Sequence, residues 1–180
     1  MLVELERRRA PDAGTAFDRL FCREYPRVVA VARRLLFDTA SAEDVAQDVF
    51  VQFLRSQDPD APFAAAWLHR AAVHRALNAL RGARRRTRRE SSSTALEAPL
   101  SDACDADPLR SALRAEERRA VRAVLARLPE RSKAVLALRH SGLSYAETAA
   151  ALGIKTNHVG TLLARAEAAF TKEMHRALSR

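Results

Sequence analysis

The sequence holds little that could build a disulfide framework, a metal site or a membrane span. Only two cysteines occur in 180 residues, Cys22 and Cys104, and they have neither a CxxC spacing nor paired histidines nearby. No apolar run approaches the roughly 18 residues that span a bilayer, and the opening residues MLVELERRRAPDAG lack the apolar stretch of a signal peptide. We therefore expect a soluble, cytoplasmic protein with no metal, no other cofactor and no segment inserted in a membrane.

Enzymatic chemistry is equally hard to place on this chain. The five histidines are scattered, no nucleophile is paired with a base, and no phosphate-binding loop is present. Cys22 falls within an apolar helical pattern, which predicts a small buried side chain. The sequence therefore predicts a protein that is not an enzyme.

The residues that are abundant favour helices and a polyanionic partner. Glycine occurs only five times, whereas the good helix formers Ala, Leu, Arg and Glu predominate. The formal net charge is +9, and nearly all basic residues are arginine. A genome biased toward Arg and Ala codons would explain arginine in place of lysine, but not the excess of basic over acidic residues. We expect an all-α protein that binds nucleic acid.

The chain divides into two helical domains joined by a polar segment. Residues 15–82 show helical periodicity in three stretches, which predicts a three-helix bundle after an N-terminal tail of residues 1–14. Residues 83–107 begin with the basic run ARRRTRRE and continue as SSSTALEAPLSDACDAD. They cannot bury enough apolar surface to offset their ordering entropy, so we predict a flexible linker. Residues 108–180 form the second helical domain.

Three local signals subdivide the first domain. Pro26 lies in the middle of the first helical stretch and predicts a kink or a short break. Ser41 is predicted to cap the second helix, with Asp44 three residues later returning the hydrogen bond. The segment Ser56 to Pro62, SQDPDAP, is typical of a loop because two prolines and two aspartates interrupt it.

The second domain contains the pattern of a helix-turn-helix. Ser144 and Glu147 form a capping box that opens a short helix, Gly153 provides the turn, and a longer helix follows from about residue 156. In such motifs the exposed residues near the start of the second helix reach base edges in the major groove. The candidates are Lys155, Thr156, Asn157, His158, Thr161 and Arg165. A plain helical hairpin would share this spacing, but the basic composition favours DNA binding.

Both domains resemble the sigma-70 family of bacterial transcription factors, especially its small extracytoplasmic-function (ECF) group. The stretch LARLPERSKAVLALRHSGLSYAETAAALGIKTNHVGTLLARAEAAF resembles region 4 of that family. SAEDVAQDVFVQFL is very similar to region 2.2, FDRLFCREYPRVVAVARRLL resembles region 2.1, and FAAAWLHRAAVHRALNALR resembles regions 2.3 and 2.4. The matches follow one another in the family's order, and no region 3 lies between them, as in the ECF group.

The resemblance implies a sigma factor that binds core RNA polymerase, directs it to promoters through −10 and −35 elements and promotes DNA melting. In the family, one face of region 2.2 docks on the clamp helices of the polymerase's largest subunit, and the flap is a further contact. The matching residues here are Asp44, Gln47, Asp48 and Phe50. Acidic and amide side chains suit docking onto basic helices, although a solvated helix face would look similar.

The resemblance also places the −10 element against the helix that follows the Ser56 to Pro62 loop. In the family this loop captures a base flipped from the non-template strand. Donor and basic side chains recur along one face of the helix, and the arginine run beyond it would add phosphate contacts unless it merely aids solubility. The implied −10 residues are Ser56, Asp58, Arg70, His74, Asn78, Arg81, Arg84 and Arg85. Trp67 is predicted to be a core residue in preference to a stacking platform.

The linker length restricts how both elements are bound. The two promoter elements of this family lie about 20 base pairs apart, which is roughly 70 Å. A flexible chain of about 25 residues averages only about 25–30 Å between its ends, and fully extended it reaches about 80–90 Å. The linker must therefore be drawn out on the promoter, whereas the free domains can approach each other. An anti-sigma protein holds such a collapsed arrangement in this family, so an anti-sigma partner is also expected.

Two other classes of protein share some of these features. A helix-turn-helix transcriptional regulator acting without the sigma role would bind duplex DNA without polymerase, but the first domain is too small and polar for an obvious ligand pocket. An arginine-rich RNA-binding protein would bind without sequence preference. Neither alternative accounts for both resembling domains together.

Overall fold

The computed structural model describes residues 11–90 and 108–179, and within these ranges the chain forms seven helices and no strand. The helices are α1 (Pro11–Leu36), α2 (Thr39–Ser56), α3 (Ala64–Glu90), α4 (Pro108–Arg127), α5 (Glu130–His140), α6 (Tyr145–Leu152) and α7 (Thr156–Leu178). The predicted all-α class is confirmed. None of the described helices is both long and apolar enough to cross a membrane.

Helices α1, α2 and α3 pack as a three-helix bundle, called the first module below. Leu20 and Val28 of α1, Phe53 of α2 and Leu68 of α3 are buried in one core. On α2, for example, the buried residues Ala46, Val49 and Phe53 follow one another at three and four residues, so the helix presents one apolar stripe to the bundle axis. The predicted three-helix bundle is confirmed.

The structure bears on two predicted details of the first module. Helix α1 continues through Pro26, so the helix is not broken there, and the alternative of a kink at this residue stays a prediction. The predicted cap at Ser41 lies inside α2, which begins two residues earlier. Asp38 is the N-cap, and its carboxylate accepts a hydrogen bond of 2.8 Å from the backbone N–H of Ser41. The chain turns sharply just before this cap, where Phe37 has a φ of 60°.

Cys22 is exposed, so the prediction of a buried core cysteine is also wrong. The buried stripe of α1 passes through Leu20, Glu24 and Val28. A residue two positions from Leu20 on a helix lies about 200° around the axis and therefore faces away from the core. The second cysteine, Cys104, lies outside the described residues.

Helices α4 to α7 form the second module. Leu128, Val135, Ala149, Val159 and Leu163 are buried in its core. Helix α5 ends where Gly142 adopts a φ of 88°, and α6 ends at Gly153 with a φ of 64°. Both values lie in the left-handed region that glycine tolerates without strain, so each helix stops abruptly and the next can cross it.

The two modules share a third apolar core. Val31 and Leu77 of the first module are buried against Leu138, Leu143 and Ala151 of the second. Helix α3 contacts α6, and α1 contacts α5. The modules therefore pack directly on each other in this structure, whereas the sequence indicated only that they could approach.

The boundary of the predicted linker also differs from the structure. Helix α3 continues to Glu90, eight residues into the segment 83–107. This extension consists mainly of arginine and contains neither proline nor glycine, so it continues the helix readily. The rest of that segment, 91–107, and residues 1–10 of the predicted tail lie outside the described residues, while α1 begins at Pro11, inside the predicted tail.

Candidate nucleic-acid and protein-binding surfaces

The helix-turn-helix of the second module is held by a complete capping box. The Ser144 hydroxyl accepts a 3.2 Å hydrogen bond from the Glu147 N–H, and the Glu147 carboxylate accepts a 2.7 Å bond from the Ser144 N–H. This backbone hydrogen bond, with the guanidinium of Arg27, lowers the pKa of Glu147 from 4.5 to about 2. The predicted capping box and glycine turn are confirmed.

Helix α7 and its N-cap residue Lys155 present the six predicted base-reading residues to solvent. Val159, Leu163 and Ala166 are buried and anchor the opposite side of the helix. Lys155, Thr156, Asn157, His158, Thr161 and Arg165 are all exposed. The buried residues fix the orientation of the helix, so the exposed set forms one surface of amide, hydroxyl and basic groups that can meet base edges and phosphates.

The predicted −10 side chains on α3 form an ordered row. Arg70, His74, Asn78 and Arg81 are all exposed. The Asn78 amide donates to Nδ1 of His74 at 3.2 Å, and Nη1 of Arg81 donates to Oδ1 of Asn78 at 2.9 Å. Arg81 also pairs with Glu130 of the second module. Side-chain hydrogen bonds therefore link His74, Asn78 and Arg81 along one face of α3.

The other predicted −10 residues flank this row. Ser56 is exposed but is the last residue of α2, so the loop predicted from Ser56 begins one residue later. Asp58 is exposed on the loop between α2 and α3, where it accepts a 3.0 Å hydrogen bond from the N–H of Asp60. Arg85 is exposed on the last turns of α3. Arg84 is on the same helix, but its side chain lies outside the described residues.

An open groove of about 700 Å³ runs between α2 and α3. Its α3 wall contains Arg70, His74, Asn78 and Trp67, and its α2 wall contains Asp48. Trp67 is half-buried and packs edge-on against Phe53, with ring centroids 5.5 Å apart. This tryptophan thus belongs partly to the core, as predicted, and also lines the groove.

The predicted docking face on α2 loses one of its four members. Asp44, Gln47 and Asp48 are exposed, but Phe50 is only 3% exposed. Its ring packs against three aromatic rings of α1, with centroid distances of 4.9 Å to Phe21, 5.8 Å to Tyr25 and 6.2 Å to Phe17. Phe50 therefore belongs to the core and cannot contact a partner directly.

The structure adds a residue to this face that the sequence did not reveal. Arg75 of α3 donates to the Asp48 carboxylate at 2.7 Å and to the Gln52 amide oxygen at 3.0 Å. Its two partners are four residues apart on α2, so they lie on one side of that helix. No local pattern links Arg75 to them, because the contact spans two helices.

A buried carboxylate with a histidine partner in the first module was also missed. Glu24 of α1 and His69 of α3 are 1% and 2% exposed, and Nε2 of His69 lies 3.0 Å from the Glu24 carboxylate. Arg23 and Arg27 donate to the same carboxylate at 2.7 and 3.3 Å. The hydrogen bond from His69, aided by that from Arg23, lowers the pKa of Glu24 to about 2 although burial opposes the shift.

The described residues thus form a two-module, all-α protein with a helix-turn-helix and a second exposed row of donor groups. Residues 20–86 match Sigma-70 region 2, and residues 118–170 match Sigma-70, region 4. The chain is 31% identical over 168 residues to the RNA polymerase sigma-H factor of Pseudomonas aeruginosa, covering 88% of this chain and 86% of that protein. It is 33% identical over 156 residues to the ECF RNA polymerase sigma factor SigM of Mycobacterium tuberculosis, covering 85% and 74%.

Two solved structures show the same fold. The sigma factor RpoE of Bartonella quintana, solved with the anti-sigma factor NepR, matches with a TM-score of 0.56 and 19% identity over 88% of this chain and 96% of its own. CnrH, solved with the cytosolic domain of CnrY, matches with a TM-score of 0.58 and 25% identity over 91% and 95%. The chain belongs to the ECF group of the sigma-70 family of RNA polymerase sigma factors. It directs RNA polymerase to promoters, a role in which sigma factors act as non-enzymatic initiation factors.

Proposed function

We propose that the chain contacts core RNA polymerase through Asp44, Gln47 and Asp48 of α2. Their exposure supports direct contact, and the pair with Arg75 holds the Asp48 carboxylate in place. Carboxylate and amide groups complement basic residues on the clamp helices of the largest subunit. The second module would add a contact with the polymerase flap.

The row on α3 contacts the −10 element in this proposal. Arg70, His74, Asn78 and Arg81 offer guanidinium, imidazole and amide donors along one exposed face. Ser56, exposed at the end of α2, and Asp58, exposed on the loop that follows, lie where a flipped base would be held. Arg84 and Arg85 continue α3 and would add phosphate contacts that aid melting.

The exposed set on α7 reads the −35 element. Lys155 and Arg165 can neutralise phosphates, and Asn157 can pair with the edge of an adenine. Thr156, His158 and Thr161 complete this surface. The buried side of α7 supports the assignment, because it leaves only this surface free to enter a major groove.

An anti-sigma protein is a further proposed partner. RpoE of Bartonella quintana is bound to the anti-sigma factor NepR in its structure. The similar fold of that protein supports the proposal. The direct packing of the two modules supports it as well, because a protein that contacts both modules could keep them together.

The observation that carries the assignment is the simultaneous exposure of three surfaces, on α2, α3 and α7, on one two-module chain. Run-off transcription with purified cognate core polymerase, on templates that span the native genome, tests the role directly. We expect promoter-dependent transcripts whose start sites share two upstream elements. Without core enzyme, the chain should bind the same duplexes poorly, whereas a helix-turn-helix regulator would bind them well.

Substitution at Asp48 tests the docking surface. The variant Asp48→Arg should abolish binding to core polymerase while the helical circular dichroism spectrum stays unchanged, because Asp48 is exposed and lies outside the core. Asp18→Arg provides a matched control, since Asp18 is an exposed acidic residue on α1 of the same module. Unchanged affinity of Asp48→Arg for core polymerase would remove this residue from the docking face.

A further inference from the structure

One ion pair in the first module links the proposed docking face to the groove beside the −10 row. Arg75 of α3 donates to the Asp48 carboxylate at 2.7 Å and to the Gln52 amide oxygen at 3.0 Å, both on α2. Asp48 belongs to the docking face, and Arg75 lines the same groove as Arg70. The surface proposed for polymerase and the surface proposed for DNA therefore share a side-chain contact.

The groove has a simple balance of charge. Among the described residues that line it, Arg70 and Arg75 are the arginines and Asp48 is the one carboxylate. Two arginines and one carboxylate leave one net positive charge. If another partner neutralises Asp48, both guanidinium groups become available to an anion. The attraction of the groove for a phosphate backbone thus depends on what Asp48 is bound to.

The ion pair is open to exchange of partners. The side chains of Arg75 and Asp48 are 38% and 67% exposed. A pair exposed to this degree is weak, because water screens the charges and holding two flexible side chains together costs entropy. A basic group that approaches Asp48 from outside can take over its carboxylate, and its positive charge also repels the Arg75 guanidinium.

Once released, Arg75 is well placed to meet a DNA strand. His74 is its neighbour on α3 and Asn78 lies one turn further along, and both line the same groove. The guanidinium stays charged at every physiological pH and offers five N–H donors, which suit phosphate oxygens. A change of side-chain rotamer is sufficient to turn it from α2 toward the groove, so the helices need not move.

We propose that Arg75 is a further contact to the −10 strand, held by Asp48 in the free chain and released when polymerase takes the Asp48 carboxylate. The coupling is reciprocal, because a strand that draws Arg75 away leaves Asp48 available to polymerase. This inference rests on the proposed roles of the α2 face and the α3 row. It adds a residue that transmits polymerase binding to the DNA site.

The free chain tests whether Asp48 withholds Arg75. The probe is a fluorescent single strand of about 20 random nucleotides, because phosphate contacts need no particular sequence, and anisotropy gives its affinity over a range of salt. Asp48→Asn should raise the affinity roughly threefold and steepen the salt slope by about 0.7, the value for one phosphate contact on a single strand. Arg75→Gln should cancel this gain in the Asp48→Asn chain but change little in the parent chain.

Glu43→Gln is the matched control for the loss of a negative charge. Glu43 is an exposed carboxylate on the same helix and does not line the groove. Its substitution should leave the salt slope unchanged. An equal steepening by Glu43→Gln would indicate a general charge effect and overturn the proposal. A gain in Asp48→Asn that persists after Arg75→Gln would overturn it as well.

The assembled holoenzyme tests the release. Its probe is the single non-template strand that covers the −10 element mapped by run-off transcription. Arg75→Gln should weaken binding of this strand roughly threefold and flatten the salt slope by about 0.7. Arg75→Lys should keep most of the slope because it keeps the charge. Affinity for core polymerase should not fall in either variant, and the helical circular dichroism spectrum should stay unchanged.

The outcomes separate this inference from the function on which it rests. If Arg75→Gln lowers core affinity but leaves strand binding unchanged, Arg75 only supports Asp48 and the proposal is wrong. If Arg70→Gln weakens strand binding and Arg75→Gln does not, the −10 row stands while the Arg75 contact is refuted. A holoenzyme that yields no transcripts would contradict the proposed function itself, and the inference with it.

Discussion

Replacing the buried Glu24 with glutamine should lower the free energy of unfolding by about 3 kcal/mol at neutral pH. The pKa of Glu24 falls from 4.5 to about 2, mainly because the carboxylate accepts a hydrogen bond from His69. Each unit of pKa difference between the folded and unfolded states corresponds to about 1.4 kcal/mol. The result agrees with the roughly 3–5 kcal/mol lost when one partner of a buried ion pair is removed.

The effect should depend on pH in a defined direction. A carboxyl group whose pKa is lowered in the folded state contributes its full stabilisation when the pH is above 4.5, its pKa in the unfolded state. This contribution is lost as the pH falls toward about 2, its pKa in the folded state. The difference in stability between the wild-type chain and Glu24→Gln should therefore be constant near neutrality. It should shrink steadily between these two pH values.

Thermal unfolding followed by circular dichroism measures both effects. For a chain of this size, the loss should lower Tm by roughly 6–12 °C at neutral pH. Glu43→Gln is the control, because Glu43 is exposed and should leave Tm unchanged. If Glu24→Gln melts together with the wild-type chain, or if the difference persists at pH 2, the reasoning about the buried pair is wrong.

Further predictions concern the core, the helix-turn-helix and the α7 surface. Phe53→Ala should lower the free energy of unfolding in urea by about 3–5 kcal/mol because it leaves a cavity in the bundle. The control Val51→Ala, at an exposed position, should lower it far less. Equal losses for the two variants would contradict the assigned core. Ser144→Ala should destabilise the second module by about 1 kcal/mol through loss of its cap, and an unchanged urea midpoint would show that the box contributes nothing. Arg165→Ala should weaken binding of the assembled holoenzyme to promoter duplexes and reduce the salt dependence by about one phosphate contact; an unaltered salt slope would place this arginine away from DNA.

The local elements were predictable because their causes lie within a few residues. The capping box needs only Ser144 and Glu147, and the left-handed turn needs only Gly153, so both could be identified from spacing. The exposed set on α7 followed from helical periodicity in the same way. At the start of α2 the same reasoning selected Ser41, whereas the structure has Asp38 as the cap.

Contacts between distant segments could not be predicted in this way. Phe50 has the sequence neighbours of a docking residue, but its position against the aromatic rings of α1 makes it a core residue. Glu24 and His69 are 45 residues apart, and each alone resembles an ordinary surface residue. Their pairing depends on how α1 and α3 pack, which periodicity does not specify.

The sequence by itself determined the helical class, the order of the two modules and the exposed residues at the start of α7, since these follow from periodicity, capping and turn residues acting over short distances. Only the tertiary structure decided that the modules share an apolar core and that Arg27 and Arg81 reach glutamates more than 40 residues away. Such contacts depend on the relative placement of whole helices, and that placement is set by the summed burial of many side chains that no single stretch of sequence contains.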